Sequence, residues 1–496
     1  MGRSDDALPD GTDDLVVTRR SVLASTSAIL SGAALPSSGR AGPAISPVTQ
    51  KLSAYMSEAR DRVLPDAVIE RIKEHVLDTF AAMISGSDLP PGRIVIAFAR
   101  ANRGDQSTTV AGSDVLCGPI EAALANGMLA HADETDDSHA PSLSHPGCVV
   151  VPAALAVGER FGIGGMHFLR AIALGYDIGT RLTMTLGPTF RNERRLSSHG
   201  FAGAFGGSAA AGCAASLDAM QMRWLIDYAA QQAAGLNATL RDSGHVGKGF
   251  VFGGGPARSG VTSALLVHAG ATGVDDILSG PGNFLRTHAP AIDPAGLIEE
   301  LGETFEVTRT NIKKWSVGSP IQASLDALET LIGRHGFAAD QVKELIVRLP
   351  ARSAATVDNR DLPDICVQHM LAIMLMDKTA SFRAAHDEPR MHDPAVLRQR
   401  AKVKLIADEE LDRRRPNREA IVEVTLTDGR AWREHVAAVR GTAANPMTRA
   451  EVVGKCRDLM APVLGEDKAA RLIEATLALD TIGDIRDLRP LLQRAA

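Results

Sequence analysis

Aromatic residues are scarce in this chain: three Trp, three Tyr and thirteen Phe among 496 residues. A core of that size must therefore be built mainly from Ala, Leu, Val and Ile. Cysteine is scarcer still. Cys117, Cys148, Cys213, Cys366 and Cys456 are scattered, odd in number and without CxxC spacing, which gives no disulfide framework and no cysteine zinc site. An excess of one charge is also lacking. A net charge of −6, with 23% charged residues, gives no reason to expect nucleic acid or an anionic membrane as a partner. HExxH, an EF-hand loop, and GxGxxG after a predicted strand are absent, so no metal and no dinucleotide cofactor is expected.

The N-terminus departs from this ordinary composition. TRRSVLASTSAILSGAALPSSGRAGPA places Arg19 and Arg20 before a modest apolar run and then small residues. The segment, residues 1–45, resembles a twin-arginine export signal and implies a periplasmic protein; a cytoplasmic one is the reading if the Arg pair is accidental. The run from Ser21 to Pro36 is too short to span a bilayer.

Apolar periodicity makes residues 46–305 predominantly helical. Asp66 is expected to cap a helix whose face is Ile69, Ile72, Val76, Phe80 and Met83. Ser85-Gly86 and Pro90-Pro91 stop it. Ala-rich helices follow at 120–131, 149–161, 166–187, 202–217 and 222–236. The character changes near 306. VKELIVRL (342–349), AKVKLIA (401–407) and IVEVTLTDGRAWREHV (421–436) alternate as strands, with Asp428-Gly429 as a hairpin turn. Thr448 and Glu451 form a capping-box pattern that returns the chain to helix. The fold class is mainly α with an α+β insertion: helical 46–305, α+β 306–440, and closing helices 441–496 that rejoin the first domain.

One stretch concentrates chemistry. HADETDDSHAPSLSHPG (131–147) holds His131, Asp133, Glu134, Asp136, Asp137, His139 and His145. A metal site, an acid–base site and a solvated polar turn are all consistent with it. Carboxylates so crowded repel unless a cation or proton relieves them. Pro141 and Pro146-Gly147 stiffen the loop, and His145 opens directly into an apolar helix. RDSGHVGKGFVFGGGPARSG (241–260) reads as a glycine-rich loop carrying Lys248. It is no phosphate loop, because Asp242 and Gly249 stand where Gly and Ser or Thr are needed. A cation among backbone N–H groups suits a carboxylate instead. NIKKWSVGSP (311–320) offers Lys313 and Lys314. His199, behind Ser197 and Ser198, marks a helix start, where the dipole favours a neutral imidazole able to act as a base.

Together these four stretches resemble the MmgE/PrpD family, whose members include 2-methylcitrate dehydratases and cis-aconitate decarboxylases. The family's first motif, roughly H-x-x-[DE]-[FY]-D-D-[ST]-H…HP, stands here as HADETDDSH…HP, with Thr135 in the aromatic position and one extra residue before His145. GKGFVFGGGPARSGV, NIKKWSVGSPIQASLDAL and LPDICVQHMLAIML resemble further family segments. The resemblance spans about residues 46–490.

It implies a helical domain with an inserted α+β lid, a homodimer, chemistry without cofactor or metal, and a cleft between the domains. By motif position that cleft holds Glu134, Ser138, His145, His199, Lys248 and Lys313, with Asp136 and Asp137 beside them. Lys248 and Lys313, with Asp136, would bind a small di- or tricarboxylate. His145 or His199 would move a proton at the carbon α to a carboxylate. Glu134 and Asp137 would orient the imidazoles, and Ser138 would bond the substrate. The implied activity is a lyase, dehydrating or decarboxylating. An epimerase of the same fold, a metal-dependent hydrolase and a non-catalytic exported polycarboxylate-binding protein are the competing readings. The export signal and Thr135 both argue against 2-methylcitrate itself.

Overall fold

Val68, Ile72, Val76, Phe80 and Met83 recur every three to four positions and form the buried face of the helix Asp66–Gly86. Pro65, and not Asp66, is its N-cap; Asp66 is the first helical residue, where its charge faces the helix dipole instead. The helix stops at Gly86, and the next, Pro90–Ala101, begins on the two prolines. The computed structural model describes residues 45–242, 244–414 and 418–494. Arg19, Arg20 and the expected export signal up to residue 44 lie outside the described residues.

The helices Pro119–Ala130, Gly147–Phe161, Gly165–Asn192, Ser198–Ala214 and Ala219–Gln232 follow in order. Gly187, at φ 70°, and Pro188 break the longest of them. Ser198–Ala214 is buried on all sides apart from His199. Its many Gly and Ala residues permit this, because neighbouring backbones can approach closely. Arg449–Leu464 and Glu466–Leu477 return to the same core. The first of these starts on the expected capping box: Thr448 accepts from Glu451 N while Glu451 accepts from Thr448 N. A small pair of strands, Thr108–Thr109 and Leu116–Cys117, is also attached to this domain.

A second hydrophobic core runs from Trp315 to Val439. It is built on a four-stranded mixed sheet in the order Val403–Asp408, Val342–Pro350, Ala420–Leu426, Ala431–Val436. The first pair is parallel, with Leu345 opposite Val403. The others are antiparallel, with Val347 opposite Val422 and Val424 opposite Trp432. The fold is thus a mainly helical N-terminal domain plus a C-terminal domain with a mixed sheet. Among the described residues no helix is long and apolar enough to cross a membrane.

The stretch expected as a glycine-rich loop is helical. Val246–Gly249, a π-helical turn at Phe250–Gly254 and Gly255–His268 run on as one interrupted helix. Its glycines serve packing. A Cβ on Gly253 would lie 2.0 Å from the carbonyl oxygen of Gly127, so this helix touches Pro119–Ala130 backbone to backbone. Lys248 therefore projects from a rigid element beside the 131–146 loop. Functional sites often coincide with π-turns, which re-aim side chains.

Candidate active site

Residues 131–139 are all buried, which removes the solvated-turn reading. The loop is tied down at several points. Ser138 N donates to Asn311 O at 3.0 Å, and Asn311 N returns a bond to Ser138 O at 2.9 Å. Asp133 accepts from Thr135 N at 3.0 Å and from its hydroxyl at 2.5 Å. Thr135 thus closes a turn through its own short hydroxyl, which a Phe at that position lacks. Lys455, from the C-terminal helix, reaches Thr135 O at 3.0 Å and Asp78 at 2.6 Å.

Asp136 lies at the centre. One carboxylate oxygen is 2.9 Å from His131 Nδ1, and the other is 3.0 Å from His145 Nδ1. Burial alone raises a carboxyl pKa. Here the His131 and His145 rings and the Lys313 ammonium hold Asp136 well below its ordinary value. His145 moves down: burial disfavours its cation more than Asp136 favours it. With Nδ1–H committed to Asp136, His145 Nε2 carries a lone pair and makes no hydrogen bond among the described residues. This is the geometry of a neutral imidazole base oriented by a carboxylate.

Lys248 contacts one Glu134 carboxylate oxygen, and Lys313 lies 3.6 Å from the other. Lys313 also donates to Glu134 O at 2.6 Å and stands 3.6 Å from Asp136. Burial opposes ionisation of Glu134, yet Lys248 and then Lys313 keep its carboxyl well below the usual range. His199 is the second residue of the helix Ser198–Ala214, whose N-cap is Ser197, a helix start of the kind the sequence indicates. Its ring stacks on Phe252 at 3.6 Å and lies 5.1 Å from the His145 ring. Burial first, then the neighbouring His145, drives its pKa well below the ordinary value.

Asp137 turns the other way. It accepts from Gly147 N at 3.0 Å, from His75 Nδ1 at 2.9 Å and from the Tyr176 hydroxyl. It anchors the start of the Gly147–Phe161 helix and touches neither His145 nor His199. The orienting part expected of Asp137 falls geometrically to Asp136. Glu134 likewise faces the lysines rather than those imidazoles. Ser138 is held by backbone bonds to Asn311 at the edge of the cluster.

Five residues of the site had no role in the sequence reading. His131 shares Asp136 with His145, and its place as the first residue of the motif was the available signal. Phe252 lay hidden in the glycine run. His245, at φ +58°, sits 3.5 Å from Glu134, with burial and Lys248 lowering its pKa to about 3. The C-terminal domain supplies His386, 3.0 Å from Asp133, and Asp364, a carboxyl that burial pushes up to about 7. His386 Nδ1 also faces Phe382 O at 2.8 Å. A carbonyl on one ring nitrogen and a carboxylate beside the other both favour N–H, and so favour the cation. Its pKa is accordingly raised to about 9, with Asp133 outweighing burial.

Among the described residues two sets of donor atoms lie close enough to hold a metal: His131, Glu134 and His245, and His131, Asp136 and Cys148. Lys248 and Lys313 press on the same carboxylates, so a dication would meet two fixed positive charges. Burial also pushes the Cys148 thiol well above its ordinary pKa, away from the thiolate a metal needs. The cluster suits an anion better than a cation.

Residues 50–295 match the MmgE/PrpD N-terminal domain, and residues 315–481 match the MmgE/PrpD C-terminal domain. The chain is 25% identical over 477 residues to a cis-aconitate decarboxylase-like protein of Aspergillus oryzae, covering 90% of this chain and 97% of that one. Identity to the cis-aconitate decarboxylase of Aspergillus terreus is 24% over 472 residues, covering 90% and 96%. For the Homo sapiens enzyme it is 23% over 472 residues, covering 90% and 94%.

Proposed function

The chain belongs to the MmgE/PrpD family, and we propose that it is a lyase acting on a small di- or tricarboxylate by proton transfer at a carbon α to a carboxylate. The observation that carries this reading is the Asp136–His145 pair, with its unbonded Nε2, set among Lys313, Lys248 and Glu134. A hydrogen α to a carboxylate is weakly acidic. Its removal needs a base and a positive field for the enolate-like charge that develops. His145 supplies the base, and the two ammoniums supply the field.

At rest two carboxylates face two ammoniums, so the field is compensated. An incoming carboxylate offers Lys248 the same kind of charge-assisted bond that Glu134 makes, and so competes with it. In the dehydrating mode His145 Nε2 takes the α-proton, the electron pair forms the double bond, and the imidazolium so formed gives that proton to the β-hydroxyl, which leaves as water. In the decarboxylating mode the bond to CO2 breaks, its electron pair stays on carbon, and a protonated imidazole returns a proton there. An epimerase would begin as the dehydrating mode does and return the proton to the opposite face.

We also read the protein as a homodimer exported through its Arg19-Arg20 signal, on the strength of the sequence resemblance. Proton NMR in deuterated buffer tests the function. Citrate, 2-methylcitrate, cis-aconitate, malate, tartrate and iminodisuccinate are each incubated with protein. Loss of water or CO2 marks a lyase. Deuterium at the α-carbon without a product of new formula marks an epimerase. Binding without either outcome sinks the enzyme reading for this panel.

A further inference from the structure

The Asp136 carboxylate is shared. His145 occupies one oxygen at 3.0 Å and His131 the other at 2.9 Å, with the two rings 5.0 Å apart. His131 is fully buried, stacked on Phe252 at 4.8 Å, and its Nε2 has no hydrogen-bond partner. An ionised carboxylate only accepts, so both imidazoles must present Nδ1–H to it. Each N–H draws on the same negative charge. What His131 takes is withdrawn from the attraction that would otherwise protonate His145.

We propose that His131 is a positioning residue that acts through Asp136, fixing the carboxylate on His145 and keeping His145 Nε2 free to accept a proton. The inference rests on the reading of His145 as the proton-transfer group. His131 touches no reacting atom in this account. Its effect is electrostatic and tautomeric. Losing its N–H concentrates the Asp136 charge on His145, whose cation then becomes easier to form. The other charged and titratable groups around the pair are Lys313, 3.6 Å from Asp136; His199, 5.1 Å from the His145 ring; His245, 5.5 Å from the His131 ring; Glu134 with Lys248; and Cys148, whose thiol faces His145 O at 3.1 Å. None of these residues is substituted when His131 alone is changed, so a difference between variants reports on His131.

The test is a long-range 15N–1H NMR titration of histidine-labelled full-length protein, with the His145 signal assigned by its loss in His145→Gln. In wild type, His145 is expected as the neutral Nδ1–H tautomer. In His131→Phe, which keeps a ring on Phe252 but has no donor, the His145 midpoint is expected to rise by about one pH unit. In His131→Asn, whose amide offers an N–H near the Nδ1 position, it is expected to return to the wild-type value. An unshifted midpoint in His131→Phe overturns the proposal, and so does an equal shift in both variants. Should His131→Phe not fold, Asp136→Asn decides. An amide presents one acceptor and one donor, so one of the two rings must switch tautomer; if neither does, the carboxylate is not shared as described. The titration needs no substrate. A protein that turns over no carboxylate yet gives the expected shifts refutes the lyase reading and leaves the positioning of His145 by His131 intact.

Discussion

Asp136 grips His145 by its Nδ1 at 3.0 Å and leaves Nε2 unbonded. The neighbouring Asp137, one residue on in the same motif, points into the helical core toward His75 and Tyr176. Two adjacent carboxylates therefore have separate tasks. Asp136→Asn is expected to lower kcat about 10²–10⁴-fold with the fold intact, because the amide can bind the wrong imidazole tautomer. Asp137→Asn is expected to lower the melting temperature first, since it weakens buried bonds to three groups. Steady-state kinetics alongside thermal melts separate the two.

Lys248 and Glu134 form a buried pair at the mouth of the interrupted helix. Lys248→Met leaves the Glu134 carboxylate facing Lys313 and the uncharged His245. A loss of about 3–5 kcal/mol is expected from breaking such a pair on one side. Lys248→Met combined with Glu134→Gln is expected to recover much of that stability and none of the activity. Chemical denaturation of the single and double variants checks the first part, and turnover the second.

His386 joins the C-terminal domain to the site loop through Asp133, 253 residues away in sequence. Its folded pKa of about 9 lies above the unfolded value of about 6.5. The pair's contribution is thus fully present below about pH 6.5 and is lost as pH rises through about 9. His386→Asn is expected to melt well below wild type at pH 6 and nearly with it at pH 10. A constant gap across that range would contradict the pairing.

Gly253→Ala would drive a methyl group into the Gly127 carbonyl, 2.0 Å from the new Cβ. Neither backbone can move without disturbing its helix. A loss of about 3 kcal/mol, at the upper end for overpacking, is expected. Activity should fall with it, because Phe252 and Lys248 ride on the same helix. A thermal melt and an activity assay on the variant check both.

Of the residues that motif position grouped, Glu134, His145, His199, Lys248 and Lys313 lie close together, each on or beside a stiff local element, and Ser138 lies at the edge, held by its backbone bonds to Asn311. Their pairing was another matter. Whether Asp136 or Asp137 faces His145 depends on which way a loop is pinned, and Ser138–Asn311 and Lys455–Thr135 pin it from more than 170 and 300 residues away. No local spacing records such contacts. The run at 241–260 looked like a loop because glycine usually breaks helices. Here the cost of glycine is offset by contact with Gly127 that no side chain would allow. Strand identity was legible from alternation at 342–349 and 421–436, but not that Val342–Pro350 would pair with two strands of opposite sense. His386 left no pattern, since its partner Asp133 lies across the domain junction, and Asp364 stood inside the LPDICVQHMLAIML segment without a role that local spacing could assign.

Solvent deuterium exchange tests the central claim most directly. A carboxylate that the protein turns over is incubated in deuterated buffer with wild type, His145→Ala and Asp136→Asn, and α-deuteration of the substrate or deuteration of its product is followed by NMR. The account predicts rapid deuterium incorporation with wild type and a fall of about 10²-fold or more in both variants. Incorporation at the wild-type rate in folded His145→Ala would contradict it, and would show that another group moves the proton.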